Sequence, residues 1–165
     1  MIDIVPYDAV RHRGGVRELL TKNGWEEHYI EGQLAGLDAL AGESLPGTNG
    51  KVCVSETGEH LGGFVSVEYR AWNRLGQLQG LAVDPALKRR GIASELVHRA
   101  EGFVRAEGGR GLYADTPVAN AAGRGFYEAG FLVPPLAFGG SYLTCWPFRG
   151  TVKVPRSSQP QAMPQ

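Results

Sequence analysis

Leu81-Ala82-Val83-Asp84-Pro85-Ala86-Leu87-Lys88-Arg89-Arg90-Gly91-Ile92-Ala93-Ser94 is the stretch that decides the fold. Its first residues close an apolar run, 75–83, that reads as a β-strand. Pro85 stops that strand, because proline has no N–H to give to a ladder. Gly91 and Ala93 then keep the chain bare where it turns into a helix. Bare positions let a ligand come close to the backbone. The first N–H groups of a helix lack internal partners and carry the positive end of its dipole. Lys88, Arg89 and Arg90 add three cations to that field. A strand, a bare cationic loop and a helix N-terminus in this order make a site for a phosphate-bearing ligand.

The helix predicted from this start runs over 91–107. Ile92, Leu96, Ala100, Phe103 and Val104 form its buried stripe, and Gly108-Gly109 ends it. Glu95–Arg99 and Glu101–Arg105 have the spacing of i,i+4 ion pairs on its wet side. Residues 111–116 read as a strand, so the unit is β-α-β with a right-handed crossover. Gly80, inside the strand before the loop, signals a bulge or a close backbone approach.

Lys88-Arg89-Arg90-Gly91-Ile92-Ala93 resembles the acyl-coenzyme A loop of the GNAT superfamily of N-acetyltransferases. That loop reads Arg/Gln-x-x-Gly-x-Gly/Ala after a strand ending in Val-x-Pro; Lys88 replaces the usual first residue. A second element follows downstream. Asn120, then Tyr127-Glu128-Ala129-Gly130-Phe131, is similar to the family's Asn…Tyr-Glu…Gly-Phe segment, with the Asn-to-Tyr spacing of seven. The motifs and the strands before them cover residues 50–134.

The resemblance implies a mixed α/β fold: a twisted, mostly antiparallel sheet with one parallel pair at the coenzyme cleft, flanked by helices. The parallel pair splays at a bulge, and the pantetheine enters the gap. It implies an N-acetyltransferase domain over 1–150; residues 151–165, rich in Pro, Ser and Gln, read from their composition as a flexible tail. The activity implied is transfer of an acetyl group from acetyl-CoA to a primary amine, by direct attack in a ternary complex. Backbone N–H groups of Arg89, Arg90, Gly91, Ile92, Ala93 and Ser94 would cradle the pyrophosphate. Lys88, Arg89 and Arg90 would reinforce that cradle, and Leu81, Ala82 and Val83 would meet the pantetheine. Asn120 would also bond the pantetheine, and Tyr127 would give a proton to the departing thiolate.

The base stays open. Many relatives carry a Glu two residues before the leucine of Leu-x-Val-x-Pro; here that position is Gln79, which cannot act as a base. Asp115, Glu68 and a water chain from Gln79 are the candidates. An acceptor amine resembling lysine has a pKa near 10, so deprotonating it at neutral pH costs roughly 4 kcal/mol. Gln79 leaves room for a rival from another class, a non-catalytic acyl-CoA-binding regulatory domain.

The rest of the chain sets limits. Its 165 residues suit one domain. Lys plus Arg and Asp plus Glu are 17 each, which offers nucleic acid no general basic field. No apolar run reaches membrane-spanning length and no signal-peptide layout opens the chain. Cys53 and Cys145 form neither a disulfide framework nor a zinc pattern, so no metal is expected and a reduced, cytoplasmic setting is. Neither sits in a nucleophile setting, which argues against a covalent acyl-enzyme. The partner expected is a small-molecule amine or a polyamine-like acceptor, with no nucleic acid and no membrane; a homodimer is left open.

Toward the N-terminus, residues 1–6 read as a strand and Asp8 as the cap of a helix reaching Asn23. A second helix over 26–41 carries Ile30, Leu34, Leu37 and Leu40 on one face. Glu26, Glu27 and Glu31 at its start would suit a cationic acceptor or form a solvated face. Residues 43–50 read as a loop, 51–56 and 60–70 as a hairpin. Residues 120–129 read as a short helix, and 131–133 and 141–148 as the last strands.

Overall fold

The computed structural model describes residues 2–42, 46–117, 136–138 and 141–148. The elements are β1 (Asp3–Pro6), α1 (Ala9–Lys22), α2 (Glu27–Gly42), β2 (Thr48–Thr57), β3 (His60–Arg70) and β4 (Leu75–Val83). After a 3-10 turn at Pro85–Leu87 come α3 (Ile92–Ala106), β5 (Gly111–Pro117), β6 (Leu136–Phe138) and β7 (Ser141–Pro147). The described strands form one sheet in the order β1-β2-β3-β4-β5-β7-β6. Every neighbouring pair is antiparallel except β4 with β5, the two strands joined by α3.

Alternation along β3 sorts the core into two layers. Val65, Val67 and Tyr69 pack with Leu96, Ala100 and Val104 of α3. Phe64 faces the other way, into Val16, Leu19 and Leu20 of α1 and Ile30, Leu34 and Leu37 of α2. A strand puts successive side chains on opposite faces, so α3 covers one face of the sheet and α1 with α2 the other. Leu96 and Val104 are fully buried, and each such side chain contributes about 1.5–3 kcal/mol to seating α3.

The local signals hold where they were strongest. Asp8 is extended, and its side chain accepts from the Arg11 N–H at 3.0 Å, the N-cap bond of α1. Val97 joins the buried stripe of α3, while Phe103 is only partly buried against it. The expected Glu95–Arg99 and Glu101–Arg105 ion pairs do not form. Glu101 stands 4.0 Å from His98 Nδ1, and Arg105 lies over the Phe148 ring, 4.0 Å from its centre. An i,i+4 ion pair is worth only a few tenths of a kcal/mol, so the aromatic face takes the Arg105 guanidinium.

β2 starts at Thr48, inside the predicted loop. Thr48, Asn49 and Gly50 pair with Arg70, Tyr69 and Glu68, so the long partner strand overrides weak local propensity. β6 was not expected: three residues between Pro134-Pro135 and Gly139-Gly140 are too few to show a period, and only pairing with β7 defines them. The strand predicted at 131–133, the helix at 120–129 and the tail at 151–165 lie outside the described residues.

Candidate active site

β4 and β5 pair in parallel only from Leu75↔Gly111 to Leu78↔Ala114. Beyond that point β5 continues with β7, and β4 continues with β3 alone. The divergence coincides with a bulge. Ser66 pairs with Gly80 and Val67 with Leu78, so Gln79 is the extra residue of β4. Among the described residues, the β4 edge turned toward β5 therefore has no strand partner from Gln79 to Val83, which opens a gap between the two strands.

The cationic loop stands at the end of this gap. Gly91 caps α3 at φ +83°, a left-handed conformation that glycine adopts without strain, and no side chain caps the helix. Ile92, Ala93 and Ser94 then have N–H groups with no intrahelical acceptor. Arg89 is also left-handed, at φ +64°. Backbone of this hand turns successive N–H groups toward one concavity, which suits an anion. Lys88, Arg89 and Arg90 are exposed, and none makes an ion pair among the described residues.

The loop is anchored from below. Asp84 is 8 % exposed; its Oδ1 accepts from Ala86 N–H at 2.9 Å and its Oδ2 from Lys22 Nζ at 3.0 Å. The Ala86 N–H, then Lys22, hold this carboxyl below the usual range. Asn23 Nδ2 donates to the Val83 carbonyl at 3.1 Å. The last turn of α1 therefore fixes both the end of β4 and the start of the loop. Pro85 was legible as the end of the strand; the partners of Asp84 and Val83, some sixty residues earlier, left no sequence trace.

Of the predicted pantetheine contacts, Leu81 and Val83 are half-buried and Ala82 is buried. Asp115 follows Ala114 directly, so it stands where the strands part, and it is exposed. Glu68 pairs with Gln77 on the other side of the bulge and accepts from Arg70 Nε at 2.7 Å. Asn120 and Tyr127 lie outside the described residues. Gln79 is exposed at the bulge. Cys53 is buried, and burial pushes its thiol up, away from a reactive thiolate.

The acidic start of α2 is already engaged. Arg17 bonds Glu27 and Glu31, and Arg13 lies 3.7 Å from Glu31 and 3.0 Å from Asp38. Tyr7 donates to the other Asp38 oxygen at 2.8 Å. Glu27 and Glu31 thus lock α1 to α2 instead of standing open to a cation.

The sequence pattern of the Acetyltransferase (GNAT) family matches residues 18–131. The chain belongs to that family. Its reaction class is therefore acyl transfer, and the gap and loop occupy the middle of the matched region. No curated protein matches the chain. Among solved structures, the PaiA N-acetyltransferase of Thermoplasma acidophilum, in complex with coenzyme A, is similar with a TM-score of 0.71 and 16% identity, over 90% of this chain and 99% of that one. An acetyltransferase of the GNAT family from Staphylococcus aureus Mu50 gives 0.71 at 13% identity, over 89% and 99%. The ribosomal-protein-S18-alanine N-acetyltransferase of Escherichia coli gives 0.64 at 14% identity, over 94% and 97%. At these identities the likeness is one of fold. Among the described residues no helix is long and apolar enough to cross a membrane, and no cluster of His, Cys, Asp or Glu could hold a metal ion.

Proposed function

We propose that this GNAT-family chain transfers the acetyl group of acetyl-CoA to a small primary amine or polyamine-like acceptor, by direct attack in a ternary complex in the cytoplasm. One observation carries the reading: a helix N-terminus without a side-chain cap, and with three cations unpaired among the described residues, stands at the end of a gap between splayed parallel strands. A pyrophosphate suits the first, and an extended amide-bearing arm suits the partnerless edge of β4.

The donor fits the residues present. Ile92, Ala93 and Ser94 offer N–H groups to the pyrophosphate, Gly91 leaves the approach bare, and Lys88, Arg89 and Arg90 neutralise phosphate charge. Leu81, Ala82 and Val83 lie along the open edge. Asp115, at the mouth of the gap, accepts the ammonium proton directly or through water. Glu68 is the poorer candidate, because Arg70 occupies one of its oxygens. Tyr127 is proposed as the acid for the leaving thiolate and Asn120 as a pantetheine contact, both on the motif alone. Gln79, an exposed amide where many relatives have a carboxylate, favours the second reading, an acyl-CoA-binding domain without chemistry.

Release of free thiol from acetyl-CoA, followed across a panel of amines with mass detection of the product, separates the two. Amine-dependent release supports transfer. Tight coenzyme binding with no release above the amine-free rate supports the binding domain.

A further inference from the structure

Gly80 lies just past the bulge, paired with Ser66, on the face of the sheet that α2 approaches. A Cβ at Gly80 would fall 2.5 Å from Gln33 Nε2, 2.9 Å from Ser66 Oγ and 3.0 Å from Phe64 Cε2. Two polar groups from α2 and β3 therefore converge on one bare α-carbon at the mouth of the gap. Ser66 is fully buried and its hydroxyl has no hydrogen-bond partner. Gln33 makes no hydrogen bond among the described residues. Alanine would fill the place of Ser66 without an orphaned hydroxyl, and buried polar groups in native proteins find partners. Ser55, the other buried hydroxyl without one, sits on the opposite face near Ile92 and the Thr57 methyl, away from the gap.

We infer that Gln33 and Ser66 form a neutral hydrogen-bonding subsite for the acceptor, which takes a hydroxyl or carbonyl neighbouring the reacting nitrogen. The inference rests on the acetyl-transfer reading and narrows its acceptor. Between them the two side chains can donate and accept, which matches a hydroxyl or an amide carbonyl. They carry no charge, and the carboxylates of α2 do not supply one: Glu27, Glu31 and Asp38 are held by Arg17, Arg13 and Tyr7. Asp115 serves the reacting nitrogen and Glu68 is bonded to Arg70, so a second ammonium beside Gln33 and Ser66 would lack a counter-charge, which is costly in a buried place. The acceptor class is thus an amino alcohol or an amino-acid amide, not a polyamine.

The test is steady-state kinetics of the full chain at saturating acetyl-CoA with 2-aminoethanol, glycinamide, n-propylamine and spermidine, for wild type, Ser66→Ala and Gln33→Leu. Wild type should use 2-aminoethanol or glycinamide with a KM about tenfold below that of n-propylamine, as one hydrogen bond allows. Each variant should raise that KM toward the propylamine value, leaving the propylamine KM and the acetyl-CoA Kd unchanged. Ser66→Ala should melt no lower than wild type, because no protein hydrogen bond is lost. Equal changes for every amine, or a wild-type preference for n-propylamine or spermidine, would overturn the subsite alone. No acetylation of any amine would overturn the transfer reading, and the subsite with it.

Discussion

Lys22 Nζ lies 3.0 Å from Asp84 Oδ2, which ties the last turn of α1 to the residue that begins the cationic loop. α1 leads into α2, and α2 overhangs the mouth of the gap through Gln33. The helical layer beside the gap and the cationic loop are thus joined through the last turn of α1. Asp84→Ala removes both this bond and the bond to Ala86. We expect coenzyme affinity to fall about fivefold, the equivalent of a lost cap worth ~1 kcal/mol, measured by calorimetric titration.

The same carboxyl predicts a pH effect. Its pKa is lowered in the folded protein by the Ala86 N–H and Lys22. The stability it contributes is therefore present above the ordinary carboxylate range and lost as pH falls through the lowered value. Urea midpoints of wild type and Asp84→Asn should differ at neutral pH and converge below about pH 4. A gap that persists at low pH would assign the effect to packing.

Arg89 and Gly91 share a left-handed backbone, but only Gly91 adopts it freely. Arg89→Gly should stabilise the fold by roughly 1 kcal/mol while weakening acetyl-CoA binding through the lost charge. Gly91→Ala meets nothing closer than Ile2 Cδ1 at 4.0 Å. Its cost is backbone strain of about 1 kcal/mol, together with a methyl group in the path of the phosphate. Thermal melts and titrations run in parallel should show stability and affinity moving in opposite directions for Arg89→Gly, and both falling for Gly91→Ala.

Asp115→Asn should lower kcat more than Glu68→Gln. Asp115 is exposed where β4 and β5 part, whereas Glu68 is bonded to Arg70 beyond the bulge. The general-base range is about 10²–10⁴-fold, and the low end is expected because water can share the work. The reverse order in steady-state kinetics would move the base to Glu68.

His12 is 3 % exposed. Its Nδ1 accepts from the Asp8 N–H and its Nε2 lies 2.9 Å from Glu56 Oε1. This fixes the neutral tautomer with its proton on Nε2, and the ring ties α1 to β2. His12→Ala should cost ~2–4 kcal/mol through a cavity and the lost bonds to Asp8 and Glu56. Denaturant unfolding should show that loss with the acetyl-CoA Kd unchanged.

The parts of the site legible in the sequence were those built from neighbours in the chain. Pro85, Gly91 and the apolar stripe from Ile92 mark the strand end, the bare cap and α3, and Gly80 marks the bulge beside it. The parts that escaped depend on residues far apart in sequence. Lys22 with Asp84, Asn23 with Val83, and Gln33 with Ser66 are brought together only when α1 and α2 fold back over β3 and β4. Likewise Glu27 and Glu31 resemble a free acidic patch until Arg17, on the neighbouring helix, is placed against them. Local spacing reports periodicity and caps; it does not report which charge a distant helix neutralises.

The central claim is that the loop at the N-terminus of α3 holds the phosphates of acetyl-CoA. Calorimetric titration of acetyl-CoA into wild type and Gly91→Glu tests it most directly, because that change puts a carboxylate where the phosphate must approach. The account predicts low-micromolar or tighter binding by wild type and a severe loss in a variant that still folds. Equal affinity in the two proteins would contradict it.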